Sequence, residues 1–331
     1  VGSAPGAGGR APPPPPPALL FGAGFRPLRP RGGAGTTTVC APFCAAIRKK
    51  GQKNMETVRQ ILQKNGFFFK KKFGQNFITD ENLLAAIAED AGVAGGTALE
   101  IGAGAGTLTR ALAARAKEVL AYEIDEKLKP VLAETLQDCP NVRLIFGDFL
   151  RADLAKLEET LPPYTVAANL PYYITTPLVM KFIEGAKKAK ALVVMVQDDV
   201  AKRFCATADT PEYGAVTAAI ALRARAEIVR HVPRRMFFPV PNVDSAVVKL
   251  TFEENRIPVK DADMYRRTVR AAFLSRRKTL ENNLMTAFAL PRERAKAALA
   301  AAGVPENARG ETLSPARLAR LADVLCEQCK E

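Results

Sequence analysis

Gly102, Glu123, Asp148 and Asn169 follow one another at intervals of 21, 25 and 21 residues, each directly behind a short apolar run. The first lies in Glu100-Ile101-Gly102-Ala103-Gly104-Ala105-Gly106, where glycine lets the backbone turn tightly and meet a ligand with no side chain in between. The pattern is G-x-G-x-G and not the G-x-G-x-x-G of dinucleotide binders, so pyrophosphate capture is not implied. An acid 21 residues beyond such a turn, at the end of the next strand, can accept hydrogen bonds from both hydroxyls of a ribose. Helix caps or surface turns account for any one of the four positions. All four in register describe a crevice at the carboxyl ends of consecutive strands, where open α/β sheets bind ligands.

Asn169 opens the stretch Asn169-Leu170-Pro171-Tyr172. An Asn side-chain oxygen and the Leu170 carbonyl, held by a proline, form a pair of acceptors suited to an exocyclic amine, and the adjacent aromatic can stack on a base. A plain Asn-x-Pro turn explains the bend but not the aromatic pair Tyr172-Tyr173 at the crevice mouth. The chain has one histidine, His231, so hydrolytic groupings have a single possible base and His-rich metal sites are excluded. A structural role is expected for it. Cys326-x-x-Cys329 is half a zinc site with no second pair nearby, and no metal is expected. Six scattered cysteines are too few for a disulfide framework and point to a reducing compartment.

Positioning four strand-end residues requires a parallel sheet. Apolar runs at Ala98–Ile101, Val119–Tyr122, Val142–Phe146, Thr165–Ala168 and Leu192–Val196 are separated by segments long enough for helices, the βαβ signature. Runs around Ala219–Val232 and Ser245–Phe252 follow without an intervening helix and are expected to pair antiparallel at one sheet edge. After Glu253 only helical patterns remain, at Met264–Leu274, Lys278–Ala289, Arg292–Ala302 and Ala316–Cys329. The expected organisation is therefore an extension at 1–54, an α/β catalytic domain at 55–254 and a small α-helical domain at 255–331.

Charge divides along the same lines. The chain carries a net +14, of which residues 1–54 contribute +8 with no acid, residues 55–255 nothing, and residues 256–331 contribute +6. A neutral middle suits a small-molecule site, and a basic end suits phosphates. Residues 1–54 hold 10 of 24 prolines and 10 of 23 glycines, too little apolar surface to offset ordering entropy, so disorder is expected there. Three readings of that segment compete: a transit peptide, although it has only Ser3 where such peptides are Ser-rich; a basic nucleic-acid tail; or sequence upstream of a true start at Met55. No uncharged apolar stretch reaches the ~18 residues of a membrane-spanning helix.

From about Phe69 to Leu325 the chain resembles the S-adenosylmethionine-dependent ribosomal RNA adenine dimethyltransferases, in particular the small-subunit, kasugamycin-resistance branch. The stretches that carry the resemblance are Phe73-Gly74-Gln75-Asn76-Phe77, Glu100 to Gly104, Asn169 to Tyr172, and Phe237-Phe238-Pro239-Val240-Pro241-Asn242-Val243-Asp244-Ser245. Arg276-Arg277-Lys278-Thr279-Leu280 with Asn282-Asn283-Leu284 favours the small-subunit branch. The resemblance implies a Rossmann-like class I methyltransferase sheet with helices on both faces, plus a helical C-terminal domain. It implies that Asn76 and the backbone of Ile78 hold the methionine end of the cofactor, while Gly102 and Gly104 line its floor. Glu123 would bind its ribose and Asp148 its adenine amine, with Asn169 beside the methyl group. Asn169, Leu170, Tyr172 and Phe237 would receive the target base. Ala103 stands where the family usually has proline, Ile78 where it usually has leucine, Phe149 is bulkier than common, and Gln197-Asp198-Asp199 is more acidic than usual. None of these removes a donor or acceptor.

The implied reaction is N6-dimethylation of two adjacent adenosines in a small-subunit rRNA hairpin during ribosome biogenesis. The expected partner is the small-subunit rRNA or a precursor particle of 30S type, met by a monomer in the cytoplasm, or in an organelle if residues 1–54 direct import. Lys70, Lys71, Lys72, Arg276, Arg277 and Lys278 flank the inferred site and are expected to contact phosphates. The alternatives are a large-subunit rRNA or DNA adenine methyltransferase, the latter typically having a second proline where Leu170 stands, and an RNA-binding assembly or transcription factor that keeps the fold.

Overall fold

The computed structural model describes residues 58–66, 77–78 and 80–328. The expectations for residues 1–54, Lys70, Lys71, Lys72, Asn76 and Cys329 lie outside the described residues.

Helix α1 (Val58–Lys64) and the short strand β1 (Phe77–Ile78) precede α2 (Glu81–Asp90), whose first turn is capped by Asp80 accepting from the Leu83 amide at 2.8 Å. The chain then alternates: β2 (Thr97–Ile101), α3 (Thr107–Ala113), β3 (Glu118–Glu123), α4 (Lys129–Thr135), β4 (Val142–Phe146), α5 (Leu154–Thr160), β5 (Tyr164–Asn169), α6 (Tyr172–Gly185) and β6 (Ala189–Gln197). Two helices, α7 (Asp198–Phe204) and α8 (Ala215–Ala221), lead to β7 (Ala224–Val232), the two-residue β8 (Phe237–Phe238) and β9 (Ser245–Phe252). Each of the five expected parallel strands is present; Val142–Phe146 matches as expected, and the other four extend beyond the expected run at one or both ends. The expected run from Ala219 is corrected at its start, because 219–221 end α8 and the strand begins at Ala224.

The seven-stranded sheet has the order β4-β3-β2-β5-β6-β9-β7, with β2 to β6 parallel. Its order reverses between β2 and β5, so a crevice opens at their carboxyl ends. Strand β9 lies antiparallel between β6 and β7, which places its first residue, Ser245, opposite Gln197. The 233–244 loop is thereby delivered to the same rim as the parallel strand ends. A second ladder pairs β1 with β8, Ile78 opposite Phe237.

Both faces of the sheet are covered. Along β2, Ala98 turns to one face with Leu84, Leu112 and Leu132, while Leu99 and Ile101 turn to the other with Leu178, Phe182 and Leu192. Burial on both sides is what makes these strands continuous apolar runs rather than alternating ones.

Four helices follow: α9 (Ala262–Ala272), α10 (Leu280–Phe288), α11 (Arg292–Ala301) and α12 (Pro315–Gln328). Their core of Tyr265, Leu284, Leu299 and Leu321 is continuous with Tyr213, Ala218 and Leu222 around α8. The Tyr265 hydroxyl donates to the Ala218 carbonyl at 2.8 Å and the Tyr213 hydroxyl to that of Leu313 at 2.9 Å. All described residues belong to one compact unit.

Candidate active site

The glycine turn leaves β2 with left-handed backbone at Gly102, φ +83°, and at Gly104, φ +58°. Both positions are also crowded. A Cβ at 102 would lie 2.7 Å from Leu170 Cδ2, and one at 104 would lie 2.7 Å from the Phe77 ring, so any side chain beyond glycine is strained by its backbone and has to displace a neighbouring side chain. The Gly102 and Ala103 amides both donate to the Tyr122 carbonyl, at 2.8 and 3.0 Å, which fastens the turn to the end of β3.

Glu123 closes β3 at 5% exposure. Its two oxygens each accept a backbone N–H, Oε2 from Gly104 at 2.7 Å and Oε1 from Asp125 at 2.8 Å. Burial holds its carboxyl above the ordinary value, and these amides work against that shift. Each oxygen retains a lone pair for a ligand hydroxyl. The Gly104 amide is therefore committed to orienting Glu123.

Asp148, just beyond β4, caps a single 3₁₀ turn at 149–151 through Oδ1, which accepts from the Leu150 amide at 2.9 Å. Its Oδ2 faces Arg151 Nε at 3.4 Å, an arginine almost wholly in solvent and thus a weak partner. Beside Asp148 lies an apolar cleft lined by Gly102, Tyr122, Ile124, Phe149 and Leu170, the two residues flanking Glu123 among them. Ile124 is 53% exposed although apolar, and Phe149 is buried, edge-on to Tyr122 at 5.0 Å and stacked on Phe182 at 5.6 Å. An acceptor in the cleft, flat apolar walls beside it and a second acid at the end of the neighbouring strand fit a nucleoside, such as that of S-adenosylmethionine.

On the other side of Gly102, Asn169 ends β5 half-buried and Pro171 leads into α6. Tyr172 is half-buried, with its hydroxyl 3.0 Å from that of Ser245. Ile78 is wholly buried, which leaves only its backbone for a ligand. Phe237 departs from the expectation of an open stacking face. It is 4% exposed, because β8 turns it into the core with Val232 and Val247. Any base that meets it does so against a wall of the core.

A third acid, Glu100, is wholly buried on β2, and neither oxygen has a hydrogen-bond partner of ordinary geometry among the described residues. Burial pushes its carboxyl up to about 8; the neighbouring Thr109 hydroxyl lowers it and the Glu123 charge raises it further. It is mostly neutral at pH 7. The unusual acids after Gln197 are accounted for in part by their partners: Asp198 pairs with Lys202 at 2.8 Å and with His231 at 3.0 Å, which gives the lone histidine its structural contact.

In the helical part, Arg276, Arg277 and Lys278 share one loop. Arg276 bonds the Pro211 and Tyr213 carbonyls and lies 3.9 Å from Glu311, so it holds the loop down. Arg277 and Lys278 make no side-chain hydrogen bond or ion pair among the described residues. The loop is shaped by the matching asparagines and Thr279. Thr279 accepts from the Asn282 side chain at 2.9 Å, and Asn283 donates to the Ala272 and Ser275 carbonyls at 3.2 and 3.1 Å. No group of acids, cysteines and histidine among the described residues could hold a metal ion. No helix among them is long and apolar enough to cross a membrane.

Residues outside the sequence expectations also shape the cleft. Ile124 and the α6 residues Ile174 and Leu178 line it. Ile124 had a signal, an apolar residue directly after a strand-end acid; the α6 pair had none, since helical apolar residues are usually core.

Residues 66–327 match the family model for ribosomal RNA adenine dimethylase. The ribosomal RNA small subunit methyltransferase A of Geobacillus thermodenitrificans is 45% identical over 278 residues, 81% of this chain and 94% of that protein. Its namesake from Streptococcus equi subsp. zooepidemicus is 45% identical over 276 residues, 81% and 95% of the two chains. Among solved structures, a dimethyladenosine transferase from Plasmodium falciparum superposes with a TM-score of 0.65 at 25% identity, covering 77% of this chain and 98% of that one. The 23S rRNA methyltransferase ErmE superposes with a TM-score of 0.59 at 31% identity, covering 76% and 99%. The glycine turn, the two strand-end acids and Asn169-Leu170-Pro171-Tyr172 are thus the local expression of a relationship that runs through the whole described fold: the chain belongs to the ribosomal RNA adenine dimethylase family.

Proposed function

We infer that this protein transfers methyl groups from S-adenosylmethionine to N6 of adenosines in small-subunit rRNA, two adjacent adenosines of one hairpin being dimethylated. The observation that carries the reading is the placement of Gly102, Glu123, Asp148 and Asn169 at the carboxyl ends of four neighbouring parallel strands, in a chain 45% identical to named small-subunit methyltransferases.

When bound, the cofactor supplies an electrophilic methyl on sulfur. The chain's task is to bind and align. Glu123 accepts from the ribose hydroxyls and Asp148 from the adenine amine, while Ile124 and Phe149 flank the ring. Asn76 and the Ile78 backbone hold the methionine end. The target amine is a poor nucleophile because its lone pair is delocalised into the base. Accepting its hydrogens at the Asn169 oxygen and the Leu170 carbonyl favours the pyramidal, charge-bearing nitrogen of the transition state. Tyr172 stacks on the extruded base and Phe237 backs the pocket; extrusion costs a few kcal/mol and stacking returns ~1–3 kcal/mol per ring face. Alignment of donor and acceptor contributes more, up to ~7–11 kcal/mol.

The helical part beyond residue 255 docks on the rRNA through Arg277 and Lys278, and Lys70, Lys71 and Lys72 add further phosphate contacts. The protein acts as a monomer in the cytoplasm on a precursor of the small subunit. Mapping of methylated adenosines on small-subunit particles, with and without the protein, tests the assignment. Two dimethylated adenosines in one small-subunit hairpin are expected. Modification confined to large-subunit rRNA would move the assignment to the other branch, and none at all would favour an RNA-binding assembly factor.

A further inference from the structure

Helix α6 begins at Tyr172, beside the target-base motif, and its flank continues along the cofactor cleft. Ile174 and Leu178 line that cleft, and Lys181 is the next residue on the same helical stripe. The half-buried Lys181 ammonium donates to the Leu150 carbonyl at 3.0 Å and to the Ala152 carbonyl at 2.7 Å. It also stands 5.9 Å from the centre of the Phe149 ring. Those residues form the turn that Asp148 caps through the Leu150 amide. One cation thus ties down the turn whose first residue is the acceptor at the end of the cleft and whose second is its aromatic wall. A wall alone needs no ammonium, since Phe149 is already held between Tyr122 and Phe182. The turn itself is closed by the Asp148 and Phe149 carbonyls, which accept from the Arg151 and Ala152 amides at 3.1 Å each, and Lys181 anchors the far end of the same segment through the Leu150 and Ala152 carbonyls, which bears on where Asp148 sits.

We propose that Lys181 is a positioning residue that makes the cofactor cleft selective for a 6-aminopurine, by fixing the 148–152 turn so that Asp148 presents its acceptor oxygen at the depth of the exocyclic amine. The inference rests on the reading of Asp148 as the adenine-amine acceptor. It adds that the acceptor is set from α6, the helix that also carries Tyr172.

The test compares isothermal titrations with S-adenosylhomocysteine and S-inosylhomocysteine, which differ in having an amine or a carbonyl oxygen at C6. A correctly placed Asp148 attracts the first and repels the second. Lys181→Met keeps the length of the stem and removes the donors. It is expected to reduce the preference for the adenosyl ligand by about tenfold, with the inosyl ligand little changed, since an acceptor set loosely loses mainly the bond it was built to make. Lys181→Arg, which keeps donors for both carbonyls, restores most of the preference. On small-subunit particles Lys181→Met raises KM for S-adenosylmethionine and leaves kcat close to wild type. Asp148→Asn is titrated alongside, because its amide can donate to the inosyl carbonyl and should shift the preference toward that ligand. If Asp148→Asn leaves the preference intact, the Asp148 reading itself fails. If Asp148→Asn shifts it while Lys181→Met weakens both ligands equally, Lys181 is merely structural and the proposal is overturned. Should Lys181→Met melt below the assay temperature, Lys181→Gln takes its place with the same expected ordering.

Discussion

The hydroxyl of Tyr172 lies 3.0 Å from the hydroxyl of Ser245. Tyr172 is the first residue of α6 and Ser245 the first of β9, so one hydrogen bond joins the Asn169–Tyr172 motif to the 233–244 loop. Ser245 is 1% exposed, which shields that end of the bond from water. Tyr172→Phe keeps the ring and strands a buried hydroxyl, with an expected loss of ~1–3 kcal/mol. The double variant with Ser245→Ala should lose less than the sum of the singles. Urea unfolding of the four proteins measures the coupling; strictly additive losses would mean that the bond carries nothing.

Asn169→Ala should bind cofactor and RNA nearly as wild type yet lose most turnover, because its acceptor matters as charge develops on the attacking nitrogen. Single-turnover methylation of small-subunit particles across a range of protein concentration separates the two effects. A wild-type rate would remove Asn169 from the reaction.

Glu100 makes the fold lose stability as pH rises from about 4.5 to about 8. Its folded-state value of about 8 stands above the ordinary 4.5, so the stabilisation that comes with a neutral buried carboxyl is complete only well below pH 4.5. As pH rises toward 8 the unfolded chain gives up a proton that the folded chain keeps, and stability falls, by roughly 1.4 kcal/mol per unit at most. Glu100→Gln has no such proton. Urea midpoints at pH 5, 7 and 9 should decline more steeply for wild type than for the variant, whose remaining slope comes from other buried groups such as Glu123; parallel curves would show that Glu100 is not the group responsible.

The three basic residues of the helical part should behave differently from one another. Arg276→Ala removes two hydrogen bonds to carbonyls and is expected to lower the melting temperature. Arg277→Ala and Lys278→Ala should leave it unchanged and instead flatten the salt dependence of particle binding, by about one counterion for each phosphate no longer neutralised. An unchanged salt slope would mark both as solvated charges.

The sheet was legible because its central parallel strands are buried on both faces and read as nearly continuous apolar runs, as Leu192–Val196 does; the edge strand Val142–Phe146, half-exposed and interrupted by Arg143, was legible from its remaining apolar residues. The start of β7 was not, since Ala219–Ala221 are apolar in a helix and in a strand alike. Of the site, the groups at strand ends stood out by type and spacing, as Glu123 and Asp148 did. What spacing could not convey was direction. Phe237 shares a motif with residues of the rim, but a two-residue ladder with Phe77 and Ile78 turns its ring into the core. Arg276 and Arg277 are adjacent and identical in kind; only tertiary packing makes one a strut and leaves the other to solvent.

Leu170 presses against Gly102 so closely that no β-carbon fits between them. The floor under the methyl donor thus abuts the side chain of the residue whose carbonyl is proposed to receive the methyl acceptor. Variation at either end has to be accepted by the other, so the site cannot drift toward a bulkier donor while its acceptor register stays put. Redesign for an enlarged sulfonium would have to weigh residues 102 and 170 together, because a side chain at 102 has to displace the end of the Leu170 side chain and still adopt a left-handed backbone.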